Sequence, residues 1–189
     1  MSMLFELRRV PLADLDALYQ DPSDIFFYLS GEEPYQPPKS FFKRVFGPKT
    51  PPKPKREWTP PSDDMLLDLE TNWHVLHYVL CRNAWEGPLP QATLLSGGTE
   101  LGKVDVGYGP ARGLNPMEAD DFLTYLSSLN KEQYALGIEG KDFVENDIYG
   151  GYTGWNSDDA ANLWDYIEAL KAFLTKAKQE NHGIILHLY

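Results

Sequence analysis

The stretch from residue 32 to residue 61, EEPYQPPKSFFKRVFGPKTPPKPKREWTPP, limits the fold more than any other feature of the chain. It holds nine of the fifteen prolines. Proline lacks the amide hydrogen that helix interiors and central strands need, and its ring clashes with the preceding turn. No regular element can run through this stretch. It reads as an extended loop or insertion at about 32–61. The regular structure must come from residues 1–31 and 62–189. A chain of 189 residues suits one domain carrying such an insertion. At 42% hydrophobic and 13% aromatic it can bury a core, which excludes disorder throughout.

The same stretch divides the charge. Seven basic residues and no acidic ones lie between Lys39 and Arg56. The chain carries −11, and taking away this +7 leaves −18 on the rest. An acidic body repels nucleic acid and anionic membrane and attracts basic proteins. PPKPKR matches the P-x-x-P-x-R pattern of ligands for aromatic grooves, so Lys53, Lys55 and Arg56 are candidate partner contacts. FFKRVF interleaves basic and aromatic residues as single-strand binders do. The surrounding negative charge opposes a polyanion, so nucleic acid is the weaker expectation. The plain alternative is a solvated linker.

The remaining elements follow from periodicity. MLFELRRV alternates as a strand, with Leu4, Glu6, Arg8 and Val10 on one side and Phe5, Leu7 and Arg9 on the other. Two short helices follow: Pro11 opens the first, Asp21-Pro22 breaks it, Ser23 caps the second and Gly31 ends it. A core helix is expected from Ser62 to about Arg82, with Met65, Leu69, Trp73, Leu76, Val79 and Leu80 on one face. Leu67, His74 and Tyr78 form a second stripe, which predicts cover on two sides. Short strands are expected at ATLL and KVDVGY. In NPME, Asn115, Pro116 and Glu118 spell a helix start with a capping box, and that helix should reach about Leu129. Asn130 should begin another short helix. Ser157 should cap the last long helix, Gly183 should stop it, and IILHLY should close the chain as a strand. Strands at both ends with helices between them predict an α+β fold. Several helices should pack on a small, mostly antiparallel sheet that includes the two terminal strands.

MSMLFELRRV…DPSDIFFYLSG, NWHVLHYVL, GYGPARGLNPMEADDF, NDIYGGY and the ending HGIILHLY occur in this order. Together they resemble the YfbM-like family, a small bacterial domain of unknown function. The resemblance covers roughly residues 1–31 and 68–189. It implies a soluble α+β domain and no particular activity. The proline-rich stretch looks like an insertion relative to the family pattern, and CRNAWEG is longer than the turn relatives tend to have there.

Four places can carry chemistry. Gly107, Gly109 and Gly113 surround Arg112, which can pair with an anion. The spacing is not G-x-G-x-x-G, and the Asn115–Glu118 cap takes up donors that an anion needs. Arg112 therefore faces either a ligand or a carboxylate such as Asp147. His74 and His77 are three apart on a helix, a metal-compatible spacing, but no third ligand is visible. Histidines bonded to backbone are the plainer reading, and His77 is the better acid or base. Tyr149, Tyr152 and Trp155 lie among glycines, as a stacking platform or as lids on a core. Cys81, the single cysteine, sits in an apolar pattern and reads as a small hydrophobe. No metal and no cofactor is expected.

Two functions of different class follow. The first is a protein-interaction module for a basic partner, in one form an acidic immunity or inhibitor protein. The second is a small enzyme or ligand binder drawing on His77, Arg112, Asp147, Tyr149 and Tyr152. The N-terminus has charges where a signal peptide needs an apolar run, and no run approaches the ~18 apolar residues of a membrane span. A cytoplasmic protein is expected.

Overall fold

The computed structural model describes residues 2–32, 57 and 59–189. Lys53, Lys55 and Arg56, with most of the proline-rich stretch, fall outside the described residues.

The sheet has five strands in the order β2-β1-β5-β4-β3. These are β1 (Phe5–Pro11), β2 (Leu66–Asp68), β3 (Thr99–Asp105), β4 (Pro110–Leu114) and β5 (His182–Leu188). Every neighbouring pair is antiparallel. The two terminal strands pair along their whole length, from Phe5 opposite Leu188 to Pro11 opposite His182. The expected α+β architecture is therefore present.

Alternation along these strands decides the layers. Phe5, Leu7, Leu114, Ile184 and Leu186 face a large core. It is closed by five helices: α3 (Trp73–Cys81), α4 (Thr93–Ser96), α5 (Pro116–Ser128), α6 (Gly140–Glu145) and α7 (Ser157–Glu180). Val10, Leu101, Ala111 and Ile185 face the other way, against α1 (Leu12–Gln20) and α2 (Ile25–Ser30). A large apolar side chain fully withdrawn from water contributes about 1.5–3 kcal/mol. The short helix α4 precedes β3. Arg9 crosses the large core's edge at 1% exposure. It donates to Glu180 at 2.8 Å and to the Asp64 carboxylate at 3.0 Å, and its guanidinium lies 5.5 Å from the Phe173 ring centre.

Local signals succeed where a side chain satisfies backbone donors. Asn115 accepts from Met117 and Glu118 amides, and Glu118 accepts from the Asn115 amide at 2.8 Å. Gly31 closes α2 in the left-handed conformation. Elsewhere pairing overrides periodicity. The helix expected from Ser62 is a 3-10 turn (Asp63–Met65), then β2, and only then α3. Leu66–Asp68 find β1 as an edge to pair with, and Asp68 accepts from the Glu70 amide at 2.6 Å to end the strand. ATLL forms α4 and not a strand, while PARGL forms β4, clamped between β3 and β5. Asn130 opens a turn, not a helix. Asp21, not Ser23, supplies the cap after α1. Asn156, not Ser157, caps α7, and left-handed Asn181, not Gly183, ends it. Gly183 lies inside β5, where a Cβ would meet a Leu15 methyl at 2.3 Å.

Candidate functional site

Two short-range decisions build a cleft between α4 and α5. The Thr93 hydroxyl donates to the Pro90 carbonyl at 2.7 Å, which folds the entry of α4. The chain then leaves α4 through Gly97 and Gly98. Gly98 has φ +77, and a Cβ there would meet the Gly113 carbonyl oxygen at 2.6 Å. The capping box starts α5 on the other side. Between them lies a cleft of about 380 Å³. Leu89, Pro90, Thr93 and the two glycines form one wall, and Glu118, Asp121, Thr124, Tyr125 and Ser128 the other, with Leu114 between.

Arg112 stands behind this wall. Its guanidinium donates to the carbonyls of Leu94 and Gly97. These are groups a helix leaves unpaired at its C-terminal end, where a cation is favoured. Burial lowers its pKa to about 10, while Glu100, opposite it on β3, favours the charge. The observed hydrogen bonds go to carbonyls, not to Asp147, which is exposed in the turn after α6 at φ +53.

The glycine loop before Arg112 is the β3–β4 connection. Asp105 accepts from the amides of Gly107 and Gly109 at 2.9 and 3.0 Å. The donors that would cradle a phosphate are thus held by the chain's own carboxylate.

His77 is fully buried. Burial first, then His74 and Arg112, pushes its pKa down to about 4. Its Nε2 lies 3.3 Å from Cys81 Sγ. Cys81 is half-buried, and burial raises its thiol. An activated thiolate–imidazolium pair needs both shifts reversed. This pair is neutral at pH 7 and packs like the hydrophobe the sequence suggests.

His74 accepts from the Tyr149 amide at 2.9 Å through Nδ1 and meets the Ala84 carbonyl at 2.6 Å through Nε2. Its ring stacks on Trp73 with centroids 4.7 Å apart. Tyr149 stacks on Trp73 too, and its hydroxyl accepts from the Met3 amide. Trp155 meets Phe143 edge-on at 5.0 Å. Tyr152 is 47% exposed and borders a separate hollow of about 270 Å³ with Asp159 and Asn162.

The structure therefore places Arg112 behind the cleft and His77 within its electrostatic reach. Tyr149 lies in an aromatic stack, Tyr152 over another hollow, and Asp147 on the surface. Asp121 and Tyr125, which line the cleft, were not among the candidates. Glu118 read only as a cap. No local sequence pattern marks them, since the opposite wall of the cleft comes from the segment before β3. Asp120 pairs with Lys178 at 2.6 Å, whereas exposed Asp121 has no ion pair among the described residues. Within the cleft the hydroxyls of Thr93 and Tyr125 donate to backbone carbonyls. Its chemistry is an apolar slot with carboxylates on one wall. Among the described residues no group of three or more His, Cys, Asp or Glu is placed to hold a metal ion. No helix among them is long and apolar enough to cross a membrane.

These features define an α+β domain with helices on both faces of an antiparallel sheet and an acid-rimmed cleft beside it. The chain belongs to the family described as a domain of unknown function (DUF1877), whose model matches residues 1–187. Its fold is similar to the crystal structure of a protein of unknown function, YfbM from Escherichia coli, with a TM-score of 0.66. That match covers 98% of this chain and 99% of that one at 16% identity. No curated protein matches the chain.

Proposed function

We propose that this protein is a protein-interaction module that receives a basic, apolar-anchored segment of a partner in the α4–α5 cleft. The observation that carries the reading is the cleft itself: apolar inside, with Glu118 and exposed Asp121 on one wall. Leu89 is 58% exposed and extends the apolar surface to the rim. An aliphatic or aromatic side chain would fill the slot, and a neighbouring lysine or arginine would meet the carboxylates. The net charge of −11 steers such a partner toward the surface. One form of this activity is an immunity or inhibitor protein that covers a basic enzyme.

The test is affinity capture from lysate of the source cell with wild type and Asp121→Lys as baits. The reading expects a stoichiometric basic protein on wild type at low salt. That protein is released as salt rises and is lost from the variant. Recovery of no partner at low salt, or equal recovery on both baits at all salt levels, contradicts it. A small-molecule site on Arg112, His77 and Tyr149 has less support. The guanidinium already binds two carbonyls, and the imidazole and phenol are locked in the core.

A further inference from the structure

A second cavity lies on the opposite face of the sheet. Antiparallel pairing sets Glu6 directly across from His187, and Arg8 follows Glu6 on the same face. Further along, this face is apolar, with Val10 and Ile185 under α1 and α2. At its other end it carries three ionisable side chains instead. Arg8 and His187 are 6% and 8% exposed, and the Glu6 side chain is 14% exposed. They line a cavity of about 370 Å³. Phe26 and Leu29 of α2, Val106 and Tyr189 supply its apolar walls, and Glu32 lines it too.

The polar groups are unequally satisfied. Arg8 donates to Glu6 Oε1 through Nε and one terminal nitrogen, at 3.3 and 3.0 Å. Its other terminal nitrogen donates to the Tyr28 carbonyl. The ion pair is thus closed, and Glu32 adds negative charge, which disfavours an anionic ligand. His187 Nδ1 is buried without a hydrogen-bond partner among the described residues. The nearest carboxylate oxygen, Glu6 Oε1, is 3.9 Å away, beyond hydrogen-bond reach. Burial first, then Arg8, pushes the imidazole pKa down to about 4, so the ring is neutral at pH 7. A neutral imidazole offers one donor and one acceptor. Tyr189 stacks on its face at 5.0 Å, and the unpaired Nδ1 lies at the ring edge. Buried polar atoms are seldom left unpaired, and clusters of shifted ionisable groups in a cavity mark binding sites.

We propose that this pocket binds a small, uncharged planar heterocycle of nucleobase type, held edge-on by His187 Nδ1 and Glu6 and covered by the apolar walls. A flat molecule with adjacent donor and acceptor atoms matches the imidazole and carboxylate side by side. A cavity of this size admits one or two fused rings. The site is independent of the α4–α5 cleft.

The test is a titration of the full chain with uracil, cytosine, adenine and hypoxanthine, and with inorganic phosphate as the charged control. Nitrogen-resolved NMR of the His187 ring reads the contact directly. The expected result is saturable binding of at least one heterocycle that shifts the His187 ring nitrogens. Glu6→Gln and His187→Phe, each checked for a native spectrum, should weaken it at least tenfold. Should His187→Phe fail to fold, the wild-type ring shift and Glu6→Gln decide the matter. Binding of no heterocycle, binding that leaves the His187 nitrogens unmoved, binding undiminished in the folded variants, or binding of phosphate alone overturns the proposal.

Discussion

Arg112 shows how much a single residue's role depends on what its charge meets. Its two carbonyl partners end α4 and form the cleft wall. Charge-assisted hydrogen bonds of this kind contribute roughly 1.5–3 kcal/mol each, and removing the donor leaves two carbonyls unpaired. Arg112→Met should therefore lower the unfolding free energy by about 3 kcal/mol in urea titrations. A change below about 0.5 kcal/mol would mean those bonds do not brace the fold. The histidines set the pH response. His77 and His187 titrate near 4 in the folded chain, below the 6.5 of an open imidazole, chiefly because of burial. Burial shifts His74 in the same direction. As pH falls from 6.5 toward 4, the unfolded chain takes up protons that the folded chain refuses. Stability present at neutral pH is lost across that window. The urea midpoint should drop between pH 7.5 and pH 5, and His77→Phe should flatten the drop. At this scale the sequence showed Arg112 and His77 as residues needing partners. It could not show the partners, because Leu94 and Gly97 offer only backbone atoms, which carry no side-chain signature.

Elements were legible where their signals are local. The Asn115–Glu118 box is complete, and Asn115→Ala should cost about 1 kcal/mol. Thermal unfolding of the variant reads this, and an unchanged midpoint contradicts it. Glycine roles were legible only by position. Gly98 and Gly137 share a left-handed φ, +77 and +78, but only Gly98 has backbone against its missing Cβ. Gly98→Ala should be the more destabilising of the two by about 2 kcal/mol, since it adds overpacking to the same strain. Equal losses would show that the wall of the cleft is not tightly packed. β2 and β4 were hidden for a different reason. Leu66–Asp68 continue a helical periodicity, and PARGL carries two strand-poor residues. β2 becomes a strand through β1, distant in sequence, and β4, which pairs with its neighbour β3, is held on its other side by distant β5. No window of local sequence contains that information. The cleft inherits the same limit, because its walls come from segments separated by β3 and β4.

Across the whole molecule, pairing of the two chain ends was legible, since each end alternates and helices fill the space between them. The Glu6–His187 pocket follows from that pairing, yet it was not anticipated. Its polar residues sit at opposite ends of the chain and meet only once the strand register is known. Net charge acts at this scale too. With −11 overall, association with a basic partner should slow as ionic strength rises, because screening shortens the reach of the field to about 8 Å at physiological salt. Stopped-flow association rates over a salt series check this, and a flat dependence contradicts steering. The α4–α5 cleft is the proposed docking site of the partner. Its most direct test is a photo-crosslinking residue placed at Thr124 in the cleft, with Gln179 on the exposed side of α7 as the control position. Irradiation in lysate of the source cell should join a basic protein to position 124, in a salt-sensitive way, and leave position 179 unlabelled. No adduct at 124, or the same adduct at both positions, would contradict the account.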